Sequence, residues 1–440
     1  VTALAFKAFV VLFGGALALG LLRSEKVAGL ADPAFARLVL ILHAGFLSLL
    51  FVGVYGLAGH AVTSDVPGYY VPAARAAAAG LLTYRDFPTS YAPLFPYVSA
   101  ALLQVWPSTL VFPAFAGLCS VLTLRSWTSI ACAPRTREPG RRAALLYATN
   151  GHVAVQCLLG TNQIWVALSL SISALLVLRG RAFGSGIVQA LAFAATKLLA
   201  VLFWPLLAAS ARRPVSWIFG ALGPAALIYG AFTLAGADVS YPLKTEGALV
   251  SSGNLPYLLE PLLRAAGLEM SPFIDVGTAL CLAVTSAALV WRLYRARRSD
   301  PIEVDARALG CALALVNVIL LITSKKSSTG YLMFAFFPAL WVLAGAARSV
   351  GESEARVLRL VGQATAFTLL LALEPSLWFL LRGNGSTLSA WMDRTPSTVV
   401  PLVLLDIALL AVYFWIAWAA VMGLRQWARR DSTRDDIARA

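Results

Sequence analysis

Residues 37–59 read RLVLILHAGFLSLLFVGVYGLAG, and residues 64–97 read SDVPGYYVPAARAAAAGLLTYRDFPTSYAPLFPY. The first stretch has one formal charge, at Arg37, and is then apolar for the roughly 20 residues that a helix needs to cross a hydrocarbon core. It does not alternate as a membrane-barrel strand does. The second stretch breaks the oil with Asp, Arg, Tyr and Pro.

The apolar pattern of 37–59 repeats along the chain. Of 440 residues, 59% are hydrophobic and 13% charged, with a mean hydropathy of +0.78. A soluble domain of that balance would have no polar surface to show to water. The predicted fold is therefore all-α, a polytopic transmembrane helical bundle of about 11–13 helices with half-spans counted. An external juxtamembrane helical loop follows an early span. The formal charge of +14 comes mostly from Arg in short loops. That pattern reads as positive-inside topology and headgroup contact, and no nucleic-acid partner is implied. Cys119, Cys132, Cys157, Cys281 and Cys311 have no paired spacing and read as small core residues. His43, His60 and His152 show no ligand spacing, so no metal site is predicted. Residues 2–22 lack a basic front and a cleavage signature and read as a retained span.

Topology follows the arginines. Arg23, Lys26 and Arg37 mark the first loop as cytoplasmic, which puts loop 60–92 outside. Arg135, Arg137, Arg141 and Arg142 mark the inside again. Between them, residues 93–106 are too short for a full crossing and read as re-entrant, with 108–131 as the return. Residues 142–160 and 162–178 read as an out-and-back pair turning at Thr161, Asn162 and Gln163. Residues 182–211 run from one basic pair to the next, and suit a hairpin of two half-helices broken at Trp204-Pro205. The module 1–236 holds this catalytic-type part. The module 237–440 is more variable and carries external loops 237–272, 324–330 and 382–397, the first with Tyr241, Lys244, Glu246, Asn254, Tyr257 and Glu260. Arg292, Arg295, Arg297 and Arg298 anchor its inner side.

Two external stretches carry candidate chemistry. In the first, a helix is predicted over 72–79, with Pro72 at its start and Gly80 as its terminator, lying along the membrane surface. Asp65 and Asp86 flank it. They read either as turn residues, Asp86 pairing with Arg85 or Arg75, or as a base at the water–lipid boundary. In the second, TSKKSSTGY at 323–331, the pair Lys325-Lys326 departs from the positive-inside pattern. It reads as two snorkelling lysines, or as an anion site with Ser327, Ser328 and Thr329. Lys197, Glu374 and Asp406 lie within predicted spans, where charge is costly; a buried Lys–Asp pair is the alternative to a functional role. No external or intramembrane Asp-x-Asp or Asp-Asp pair, Walker loop, GxSxG or HExxH occurs.

Asp65, Tyr69, Tyr70, then Gly80-x-x-x-Tyr84-Arg85-Asp86-Phe87, then Tyr91-x-Pro93-Leu94-Phe-Pro-Tyr97, resemble the first external loop of the C-type glycosyltransferases. These are polytopic enzymes that take sugars from polyprenyl-phosphate donors. Asn162-Gln163 opening a span that ends in LRGR at 178–181, then GIVQALAFAATK at 186–197 and Pro205, resemble the bacterial polyprenyl-phosphate-mannose transferase branch. Many members carry an Asp near the position of Asn162. The likeness spans about residues 60–210 and is general beyond 237, where Lys325, Lys326 and Tyr331 are similar to a donor-phosphate region.

The resemblance implies an inverting transfer on the outer face of a bacterial inner membrane. The donor is a polyprenyl-phosphate sugar, and the acceptor a glycan or lipid. Asp65 is implied as the base, with Asp86 as second candidate. Lys325, Lys326, Tyr331, Lys197, Arg85, Tyr91, Asn162, Gln163 and Arg382 are implied on the donor side. No cofactor or metal is expected, and the bilayer is the remaining partner. The competing classes are a transporter or flippase of lipid-linked glycans, and a catalytically silent scaffold.

Overall fold

The computed structural model describes residues 2–132, 137–247, 250–268, 270–299, 306–346, 353–382, 387–394 and 396–439. Arg135, and the side chains of Glu246, Arg297, Arg298 and Arg382, lie outside the described residues. All named elements among the described residues are helical, so the chain is an all-α bundle. Among the described residues, eight helices are long and apolar enough to cross a membrane: Ala3–Arg23, Asp32–Leu57, Pro214–Leu234, Ile274–Arg295, Ala306–Thr323, Thr329–Ala346, Glu354–Trp378 and Val399–Trp427. Shorter apolar helices cover Phe95–Val105, Ala182–Ala195 and Leu198–Ser210. Val111–Ala131 has the length, but Arg125 and its serines and threonines hold its hydropathy below that of the eight. Leu57, Leu227 and Leu234 stay exposed, as suits side chains that meet lipid.

Packing divides the chain into two units, each discontinuous in sequence, whereas the modules 1–236 and 237–440 are drawn along the chain. One unit comprises Asp32–Ser129 and Val153–Ala248; the other comprises Val1–Ala31, Ile130–His152 and Leu249–Ala440.

In the first unit, Ala182–Ala195 packs closely on Pro214–Leu234. A Cβ on Gly186 would lie 2.3 Å from the Trp217 carbonyl oxygen, and one on Gly220 would lie 2.4 Å from that of Phe183. The Trp217 indole N–H donates to Ser185 Oγ at 2.9 Å, and Ser185 Oγ donates to the Ser173 carbonyl at 3.0 Å. Small residues that let backbones touch, with polar side chains bridging them, are how helices associate without a hydrophobic driving force. Gly186→Ala is expected to cost about 1–3 kcal/mol, as overpacking does. It should lower the thermal midpoint in detergent. Gly184→Ala should not, because its Cβ would meet only Leu176, at 4.0 Å.

Two helix breaks differ from the expected ones. Residues 142–160 are not one span: helices Arg137–Ala148 and Gly151–Leu158 are separated at Thr149-Asn150. Asn150 supplies the reason, since its Oδ1 accepts from the His152 N–H at 3.0 Å and its Nδ2 donates to Thr368 Oγ1 at 3.0 Å. The next helix, Gln163–Leu178, turns off from Gly151–Leu158 at 118°.

The hairpin over 182–211 breaks at Thr196-Lys197, not at Trp204-Pro205. A 3-10 stretch Leu198–Phe203 follows, and Pro205 sits in the first turn of Trp204–Ser210, where its missing N–H costs nothing. Thr196 Oγ1 bonds back to the Ala192 carbonyl at 2.5 Å. The Ala194 carbonyl is taken by the Leu94 N–H at 2.8 Å and that of Thr196 by the Ala92 N–H at 3.5 Å. Carbonyls that a continuing helix would use are satisfied from another segment, so the helix can stop. Lys197 is thus at the break in extended backbone, φ −140° and ψ 143°, and not inside a half-helix.

In the second unit, Ala306–Thr323 and Thr329–Ala346 are the most enclosed spans, with Lys325 and Lys326 in the turn that joins them.

Candidate functional site

The opening of the 64–97 stretch is a π-helical turn, Val66–Tyr70, which runs into the helix Val71–Ala78. Gly80, at φ +81°, ends it: its N–H bonds the Ala77 carbonyl and the Leu81 N–H bonds that of Ala76. This is the left-handed terminator that glycine forms without a Cβ penalty. Two non-glycine residues also take positive φ, Ser64 at 84° and Tyr84 at 67°. Such backbone is held only where its surroundings over-determine it. Here Ser64 Oγ donates to the Leu159 carbonyl at 2.7 Å, and the Tyr84 hydroxyl donates to the Tyr91 carbonyl. Burial pushes the Tyr84 phenol well above its ordinary range, so it stays a neutral donor.

These anchors fix a polar constellation. The Tyr91 hydroxyl donates to Asp65 Oδ2 at 2.8 Å. The Lys197 ammonium lies 5.7 Å from the centroid of the same Tyr91 ring, within cation–π range. Tyr91 is buried edge-on against Tyr70 at 5.1 Å and tilted against Phe95 at 4.5 Å. The bonds from Ala92 and Leu94 to the broken end of Ala182–Ala195 bring Lys197 to this ring. One tyrosine therefore holds a carboxylate at its tip and faces a cation with its ring. Asp65 is half-buried, with Oδ1 in no hydrogen bond to a described residue.

Asn162 joins the same cluster. Its backbone N–H donates to the Tyr70 hydroxyl at 3.2 Å. Its carboxamide is fully buried and bonds to no described residue, and Gln163 Oε1 is in the same position. A buried polar group without a partner costs about 1–3 kcal/mol.

Asp86 is placed differently. Arg85 Nε donates to Oδ1 and Arg85 Nη2 to Oδ2, both at 2.9 Å, and the Leu82 N–H donates to Oδ2 at 2.7 Å. Arg85 Nη1 reaches the Ala235 carbonyl at 3.3 Å. The Arg85 hydrogen bonds and that from Leu82 hold the Asp86 carboxyl down at about 2. A carboxylate so committed is a weak base and a good loop clasp.

A carboxyl depressed in the fold contributes order above its unfolded value of 3.8, and loses it as pH falls through about 2. Loop 81–90 should therefore resist pepsin at pH 4 and become cleavable toward pH 2. Asp86→Asn should be cleaved already at pH 4.

The second unit holds the other sequence candidates. Lys325 is buried and donates to Asp275 Oδ2 at 2.7 Å. Ser251 and Asn254 strap the turn: the Ser251 N–H donates to the Lys325 carbonyl at 2.8 Å and Ser251 Oγ to that of Ser327 at 2.7 Å. Lys325 is thus neither a snorkelling lysine nor a bare charge. Lys326 is half-buried in the same turn, and Tyr331 is buried against Phe334 at 5.4 Å. Within the spans, Glu374 accepts from Ser252 and Lys7 donates to Ser376 Oγ at 2.5 Å, while Asp406 is fully buried. Sequence reasoning does not single out Asp275. Its signal is that it stands in the apolar run 272–293 as an isolated acid. Among the described residues no group of three or more His, Cys, Asp or Glu could hold a metal ion.

Fold and composition together define an all-α, multi-pass helical membrane protein. No family model and no curated protein matches the sequence.

Proposed function

We propose that the chain is an inverting glycosyltransferase that moves a sugar from a polyprenyl-phosphate donor to a glycan or lipid acceptor at the outer face of a bacterial inner membrane. The observation that carries the reading is the meeting of Asp65, Tyr91 and Lys197, all from the stretches that resemble C-type glycosyltransferases. Asp65 takes the proton from the acceptor hydroxyl. That oxygen attacks the anomeric carbon as the bond to the phosphate oxygen breaks, and the phosphate leaves as an anion. It needs a cation and no acid. Lys197 is the cation we assign to it, since it faces the ring of the tyrosine that holds Asp65.

Tyr91 orients the base. Asp86 and Arg85 shape the loop and take no part in the chemistry. The transfer asks for no metal or cofactor. Purified protein supplied with a polyprenyl-phosphoryl sugar and a membrane glycan acceptor should consume the donor and release polyprenyl phosphate. A transporter reading draws on Lys7, Glu374 and Asp406 within the spans of the second unit. Under it, the intact donor would cross a vesicle membrane unconsumed.

A further inference from the structure

Asn162 sits at the start of the 16-residue helix Gln163–Leu178, a position where asparagine ordinarily caps the first turn through its side chain. Here it makes no such bond. Both atoms of its carboxamide, Gln163 Oε1 and the Trp165 indole nitrogen are buried without a partner among the described residues. The large majority of buried side-chain polar atoms are paired with protein or ordered water. Three such side chains in one helical turn gather buried polar atoms that a ligand's hydroxyls can satisfy.

The turn also lies beside the proposed base. Ser64 Oγ, next to Asp65, bonds the Leu159 carbonyl, and Asn162 bonds Tyr70, whose ring packs on Tyr91. Thr161 and Gln163, the chain neighbours of Asn162, and the Tyr70 hydroxyl that accepts from its N–H, are neutral hydrogen-bonding groups. A carboxamide donates and accepts at once, which matches a hydroxyl.

We infer that Asn162 and Gln163 form a subsite for the hydroxyls of the donor's sugar ring. This rests on the transferase reading for its placement and assigns these two residues to the sugar rather than to the phosphate.

The test is binding, without turnover, of a farnesyl-phosphoryl hexose and of farnesyl phosphate to the purified full chain in detergent. Asn162→Leu should weaken the hexose lipid about tenfold and leave farnesyl phosphate unchanged, as loss of one to two hydrogen bonds to a neutral group does. Gln163→Leu should act in the same direction, and carries the test if Asn162→Leu does not fold.

Equal losses for both lipids would assign the residues to phosphate or to folding. No loss with either variant would mean that water satisfies the amides. Each of these overturns the inference. If discrimination between hexose lipid and farnesyl phosphate holds but no transfer is ever found, the transferase reading fails and the subsite stands.

Discussion

Asp65→Asn is expected to lower sugar transfer by about 10²–10⁴, the usual contribution of a positioned general base. The substitution keeps the shape and a carbonyl oxygen for the Tyr91 hydroxyl, so the loop that bears it should stay in place. What it removes is the group that takes the acceptor proton. Binding of the donor should change little, which separates loss of chemistry from loss of the site. Asp86→Asn provides the contrast. Its carboxylate is spent on Arg85 and Leu82, so its loss should loosen loop 81–90 and reduce rate only modestly. Undiminished transfer by Asp65→Asn in membranes would remove Asp65 from the mechanism.

The second large effect is on stability. Lys325 has 3% of its side chain exposed and Asp275 48%. Asp275→Leu takes from the buried ammonium the carboxylate that accepts from it at 2.7 Å. Removing one partner of a buried pair costs about 3–5 kcal/mol, and the exposure of Asp275 puts this case at the lower end, about 3 kcal/mol. Lys325→Met leaves a half-exposed carboxylate near the end of its span, and should cost less than Asp275→Leu. The double variant should unfold near the midpoint of Lys325→Met alone. Thermal midpoints in detergent read all three. Equal losses for the two single variants would show that the pair is not asymmetric in this way.

The spans were open to reading from hydropathy because lipid imposes one pattern, about 20 apolar residues, on each crossing helix. The terminator at Gly80 was equally open, since it is a local backbone requirement. The break at Thr196-Lys197 was not. It depends on the N–H groups of Ala92 and Leu94, remote in sequence, and nothing near Lys197 announces them.

The different settings of Asp65 and Asp86 were hidden for a similar reason. Both flank the same short helix, and only the fold shows that Asp86 is clasped on both oxygens while Asp65 meets a single tyrosine hydroxyl. Lys325 looked exposed because it ends an apolar run. Asp275, which neutralises it, belongs to a helix distant in sequence. The candidate residues were nameable one at a time, and what could not be read from the sequence was which of them touch.

The central claim is direct displacement of a lipid phosphate by an acceptor oxygen, with Asp65 as base. The most direct measurement is the anomeric configuration of the product, read by NMR after the purified protein has acted on a donor of defined configuration. One displacement by the acceptor inverts the centre, so a β-linked donor should give an α-linked product and an α-linked donor a β-linked one. A product of retained configuration would contradict the claim, and so would a donor left unconsumed in the presence of every glycan and lipid acceptor supplied.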